Sequence, residues 1–275
     1  YQVLETIMPF EFIRYDFIKN AIIAILLLAP LYAVLGTMIV NNKMAFFSDA
    51  LGHSALTGIA IGMMFGLSNN LAMIIFAVIF SLALNYVKHR THYGADTIIS
   101  VFASIAIAIG LAILASLGNF SKYSSYLVGD ILGITANEIM YLAIVFAVVL
   151  IVWSLIFNKL HTISINTSLA KSKGINVALI DNIFVITISI VVMLSIKWIG
   201  ILLINSLIIL PAASSRNIAK NIKQYHVLSI VFSLFTGLLG IIISYYANIP
   251  TGPTIVICSG VLYLITFAMK HKIKG

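Results

Sequence analysis

Apolar residues run along this chain in long blocks, separated by short polar or charged stretches. A helix needs about 20 mostly apolar residues to cross the hydrocarbon layer of a membrane. Blocks of that kind fall at residues 18–40, 45–66, 70–87, 97–117, 138–157, 179–196, 199–219, 226–246 and 252–269. The pattern predicts an all-α, polytopic transmembrane helical bundle of about eight or nine membrane helices. The seventh block is set off from the sixth by little more than Lys197 and is interrupted by Pro211. An eight-span bundle would therefore leave one block short or re-entrant. A single transmembrane domain over residues 1–275 is expected.

Composition agrees with the pattern. The chain is 61% hydrophobic and 9% charged, against about 25% charged in soluble domains, and its mean hydropathy is +1.12. The net charge of +8 does not suggest nucleic-acid binding, because the positive residues are scattered between apolar blocks, as at membrane flanks. With the N-terminus outside, only Arg14, Lys19, Lys122 and Lys197 of the 16 lysines and arginines face outward. The positive-inside rule thus predicts an external N-terminus and, for an odd number of spans, a cytoplasmic C-terminus. Residues 1–15 are acidic and broken by Pro9, so no secretory signal is evident there. The lone cysteine, Cys258, allows no intramolecular disulfide and is read as packing. No GxxxxGK[ST] loop is present, so the chain shows no site for hydrolysing ATP by itself.

One block carries chemistry. Residues 43–66, KMAFFSDALGHSALTGIAIGMMFG, place an acid and a histidine in an otherwise lipid-compatible run. Asp49 and His53 are four apart and share a helix face, with Thr57 continuing the stripe. Beside it Ala50, Ser54, Gly58 and Gly62 form a small-xxx-small seam that lets another helix approach closely. Zn²⁺ and Mn²⁺ both accept a carboxylate with an imidazole. Ionisable groups at membrane depth usually face a bundle interior or a water-filled path. A plainer reading stands beside this one: Asp49 caps the helix and His53 hydrogen-bonds within a helix contact. Two ligands also fall short of the roughly four that a structural zinc site uses.

The remaining polar positions are read more simply. Residues 118–135 form the longest external connection, with Phe120, Tyr123 and Tyr126 suited to the membrane interface. Residues 158–177 form the longest cytoplasmic one, with helical character at 168–173 and Gly174 as its C′ residue. That short helix suits docking to another protein, or the stretch is a basic interfacial loop. His89 and His92 are placed in a solvated loop, Asp96 at an N-cap, and His161, His226 and His271 carry no assigned role. Asn205 either faces a cation path or bonds a neighbouring helix, and Pro211 with its small neighbours allows a bend with close packing. Pro250, Gly252 and Pro253 set a tight turn before the last block.

Several of these stretches together resemble the bacterial metal-ion (zinc/manganese) ABC transporter permeases. They are residues 47–62, FSDALGHSALTGIAIG; 200–213, GILLINSLIILPAA; and 249–256, IPTGPTIV. Residues 169–177, LAKSKGINV, look like the family's coupling segment, and Asp96 with Thr97 resembles its aspartate–threonine pair. The order and spacing match over nearly the whole chain. Departures are Ser214 and Ser215 where alanines are usual, and lysines in the coupling segment where an acid is common.

The resemblance implies a B12-permease-like ABC importer architecture in the bacterial cell membrane. It implies a homodimer surrounded by membrane lipid, two cytoplasmic ATP-binding subunits, and an extracellular or periplasmic metal-binding protein that delivers the ion. Hydrolysis of ATP would belong to the separate subunits, so the chain itself is not expected to be an enzyme. Asp49 and His53 then map onto the family's transport-path pair, with Thr57 and Asn205 as further path positions and Leu169, Ala170 and Gly174 as the ATPase coupling residues. No permanently bound cofactor is implied; Zn²⁺ or Mn²⁺ passes through. Zinc is expected over manganese, because residues 200–213 look more like the zinc branch and a mixed nitrogen–oxygen site favours Zn²⁺; iron comes third. Other classes are a proton-driven secondary metal transporter, which should show inverted repeats that are not visible here, and a non-transporting scaffold. A siderophore or vitamin permease would have to pass bulky ligands, against the tight seam.

Overall fold

The computed structural model describes residues 15–91, 93–118, 129 and 131–274. Among them are ten α-helices and one 3₁₀ turn, and no strand. The helices are α1 (Asp16–Asn41), α2 (Phe46–Phe65), α3 (Asn69–Arg90), α4 (Ala95–Ser116), α5 (Ala136–Ile165), α6 (Thr167–Ser172), α7 (Val177–Ile199), α8 (Ile201–Ile218), α9 (Ile222–Ala247) and α10 (Thr251–Lys274). The nine long helices coincide with the nine apolar blocks. Among the described residues, seven stretches are by length and composition apolar enough to cross a membrane. Helix α2 is not among the seven, because Asp49, His53 and the glycines dilute its apolar run.

Several expected boundaries are corrected. Helix α5 runs on to Ile165, so the connection expected from residue 158 begins only at 166. Asp96 does not cap α4: Gly94 does, and Asp96 lies inside the first turn. The break between the sixth and seventh blocks falls at Gly200, whose φ of 78° ends one helix and starts the next. Helix α8 continues through Pro211. Helix α5 opens with a capping box in which the Thr135 N–H donates to Glu138 Oε2 at 2.9 Å and Glu138 N–H returns to Thr135 Oγ1 at 3.4 Å. Phe120, Tyr123, Tyr126 and His92 lie outside the described residues.

The chain divides into two compact units. One gathers the described residues of 1–37, 128–150 and 198–275, and the other those of 38–127 and 151–197. In the first, α8, α9 and α10 pack on one another, and Tyr225 Oη and Ser229 Oγ donate to the Thr37 and Ala33 carbonyls of α1 at 3.3 Å each. His226 bonds Thr37 Oγ1 at 3.0 Å and the Ile222 carbonyl at 2.9 Å, so both ring nitrogens are used.

The second unit is built on α2, which packs against both α3 and α4. The expected seam makes this contact. A Cβ at Gly58 would lie 3.0 Å from the Met73 Cα, and one at Gly62 would collide with Ala72. From the other side Gly110 of α4 meets Thr57 so closely that a Cβ there would strike the threonine hydroxyl and lie 2.9 Å from its Cα. Gly110→Val should therefore destabilise the protein by about 1–3 kcal/mol through overpacking. Gly260→Ala, in a helix with open space around it, should leave stability equal or about 0.5–1 kcal/mol higher. Unfolding of the detergent-solubilised protein measures both, and equal effects would contradict the close contact.

Candidate functional site

Helix α2 begins after Ala45, and no side chain caps it. Asp49 sits inside the first turn, where the positive end of the helix dipole favours a carboxylate. The capping alternative for Asp49 is thereby set aside. Most of α2 is buried: Phe47, Ser48, Ala50, Leu51, Gly52, Ser54, Ala55 and Thr57 through Ala60 all face protein. Within the first three turns the surface left open is the stripe of Phe46, Asp49, His53 and Leu56. His53 Nε2 lies 3.6 Å from Asp49 Oδ1, with side chains 39% and 41% exposed.

Thr57 does not continue that stripe. Eight residues of a 3.6-residue helix advance well past two turns, so the eighth position rotates off the line and the seventh, Leu56, stays nearer to it. Thr57 is fully buried, and its hydroxyl donates to the Ala106 carbonyl of α4 at 2.5 Å. Asn205 is half-buried on α8, in the other compact unit.

The coupling segment is ordered by its own sequence. Asn166 caps α6 by accepting from Ser168 N at 2.9 Å and Leu169 N at 3.1 Å. At the other end Gly174 takes φ 73°. Its N–H reaches the Lys171 carbonyl at 3.0 Å and Ile175 N–H the Ala170 carbonyl at 3.1 Å, the paired bonds of a Schellman stop. Ala170 is fully buried and anchors the helix, while Leu169 is 45% exposed.

A second polar cluster was not anticipated from sequence. His89 is not in a solvated loop. It lies in the last turn of α3, with Nε2 3.2 Å from Asp181 Oδ2 of α7. Next to it Asn85 Nδ2 donates to Asn182 Oδ1 at 2.7 Å. The available signal was an acid inside an apolar block, NVALIDNIFV. Among the described residues no three or more His, Cys, Asp and Glu side chains gather into one metal-holding group.

The apolar helices define a multi-pass, all-helical membrane protein. A family model described as "ABC 3 transport family" matches residues 14–270, and the chain belongs to that family, in the bacterial cell membrane. It is 28% identical over 260 residues, 94% of this chain and all of the relative, to the high-affinity zinc uptake system membrane protein ZnuB of Haemophilus influenzae. It is 26% identical over 94% of its length, and 92% of the relative's, to the manganese import system permease protein ScaB of Streptococcus parasanguinis. Among solved structures, PsaBC from Streptococcus pneumoniae in complex with Fab matches with a TM-score of 0.79 at 25% identity, covering 92% of this chain and 91% of that one. The resemblance drawn from residues 47–62, 200–213 and 249–256 is thus borne out at the level of the family.

An ion pair this exposed adds little to folding. Asp49→Ala and His53→Ala should each leave stability within about 1 kcal/mol of the parent in detergent unfolding. A loss above about 2 kcal/mol would mark the pair as structural.

Proposed function

We propose that this chain is the membrane permease subunit of an ATP-driven importer of divalent metal ions, with zinc as the favoured cargo and manganese the second reading. The observation that carries the proposal is the Asp49–His53 stripe, the open face of the first three turns of α2, which are otherwise covered by neighbouring helices. Membership of the ABC 3 transport family supports the transport role. The zinc preference draws support from the relatives named for zinc uptake, of which another, from Buchnera aphidicola subsp. Baizongia pistaciae, is 30% identical over 87% of the chain.

On this reading all nine long helices cross or enter the membrane, with the N-terminus outside. Two copies place two carboxylates and two imidazoles about one axis, completing a ligand set that one copy lacks. Ligands at partial exposure hold the ion briefly, and a transit site must bind weakly enough to release. Separate cytoplasmic subunits hydrolyse ATP and dock on α6, whose exposed Leu169 and Schellman stop present a fixed surface. An external metal-binding protein delivers the ion. Thr57 seats the site helix against α4, and Asn205 is a further path position on α8. The chain holds no permanent cofactor, and its own role is conduction rather than catalysis.

The functional test is complementation of a host lacking its own importers, with the permease and its partners, in zinc-depleted and in manganese-depleted medium. The parent should restore zinc accumulation, and Asp49→Ala and His53→Ala should lose uptake while the complex still assembles. Uptake at the parent rate in either variant removes the pair from the path. Rescue through manganese alone, with no zinc accumulation, reverses the choice of metal.

The coupling segment gives an independent test. Proline fixes φ near −65°, opposite in sign to the 73° of Gly174, and removes the N–H that reaches the Lys171 carbonyl. Gly174→Pro should abolish metal-stimulated ATP hydrolysis in the reconstituted complex. Normal stimulation in that variant would contradict the docking role of α6.

A further inference from the structure

We propose that Asp181 and His89, with the amide pair Asn85–Asn182, are positioning residues that link movement of α6 to the helix carrying Asp49 and His53. The inference rests on the reading above, in which α6 receives the motion of an ATPase subunit. It adds the side chains that carry the motion onward.

The connection from α6 to α7 is short and stiff. Only residues 173–176 separate the two helices. The Schellman bonds close α6, and Asn176 caps α7 by accepting from Leu179 N at 3.1 Å. A displacement of α6 therefore acts directly on the first turns of α7, where Asp181 and Asn182 lie.

Those turns are fastened to α3 at two points. The Asp181 carboxylate, whose side chain is 11% exposed, meets His89 at 3.2 Å. Asn182 accepts from the fully buried Asn85 at 2.7 Å. Asn85 and His89 are one turn apart on the same face of α3, so the two contacts resist rotation as well as separation. A carboxylate this buried does not leave its partners without a large penalty, and neither does a buried amide. Helix α3 must follow α7.

Helix α3 in turn holds α2 at both ends. In its last turn Lys88 reaches the Met44 thioether at 3.3 Å. Met44 is buried in the short lead into α2, and its carbonyl accepts from Phe47 N at 2.9 Å. At the opposite end the backbone of α3 lies against Gly58 and Gly62. The route runs from α6 through α7 and α3 to α2, wholly inside one compact unit. A cavity of about 350 Å³ beside the pair is bounded by Ser164 and Thr167 at the join of α5 and α6.

A static brace would show the same contacts, so the test must separate fastening from coupling. The quantity is zinc ions taken up per ATP hydrolysed by the assembled transporter in liposomes. Asp181→Asn and His89→Gln should lower this ratio about tenfold, within the range of coupling free energies, while hydrolysis stays within about twofold of the parent. The exchange of His89→Asp with Asp181→His should recover it. An unchanged ratio, or uptake and hydrolysis falling together, overturns the proposal. If Asp181→Asn does not assemble, Asn85→Ala decides, since it leaves the charges paired: a lowered ratio supports the route and an unchanged one overturns it. A parent complex that hydrolyses ATP yet moves neither zinc nor manganese overturns the functional reading itself, and this inference with it.

Discussion

The second unit depends on the close approach of backbones around α2. Gly58 and Gly62 admit α3 from one side, and Gly110 admits α4 from the other. In an apolar solvent there is little hydrophobic drive between helices, so packing and interhelical hydrogen bonds must hold them. Small residues make the packing, and Thr57 adds a bond to the Ala106 carbonyl. Two fixed contacts set the rotation of α2 about its axis. Once that rotation is set, the stripe left open is the one bearing Asp49 and His53.

Openness decides what the pair is able to do. A fully buried carboxylate and imidazole would be held by desolvation to one partner and would stabilise or destabilise the fold strongly. At about two-fifths exposure and 3.6 Å apart, the pair contributes little to stability and keeps ligand atoms available. Asp181 and His89 show the contrast within the same unit. Their chemistry is the same, but the carboxylate is largely enclosed, and beside it Asn85 donates to Asn182 across a helix contact. One pair is suited to transient ligation and the other to fastening.

Much of this was legible in the sequence. The nine apolar blocks became nine long helices, and the seam at Ala50, Ser54, Gly58 and Gly62 became the α2 contact, because helical period and small side chains are local properties. The stop at Gly174 was legible for the same reason. What escaped depends on tertiary pairing or on rotation. His89 reads as a loop residue until Asp181, distant in sequence, is brought against it. Thr57 reads as part of the polar stripe until the angular drift of the helix turns it into the α4 contact. The extension of α5 to Ile165 was hidden because residues 158–165 interleave Leu160, Ile163 and Ile165 with polar side chains, which breaks the continuous apolar block. Asp96 fails as a cap because the chain enters α4 two residues earlier than its acid suggests.

The central claim is that the open stripe of α2 meets the transported ion. Anomalous diffraction at the zinc edge, from crystals of the transporter assembled with its ATPase subunits and grown with zinc, tests it without relying on activity. The account predicts an anomalous peak within about 2.0–2.2 Å of both the Asp49 carboxylate and the His53 imidazole. Zinc bound elsewhere on the chain, with Asp49 and His53 unligated, would contradict it.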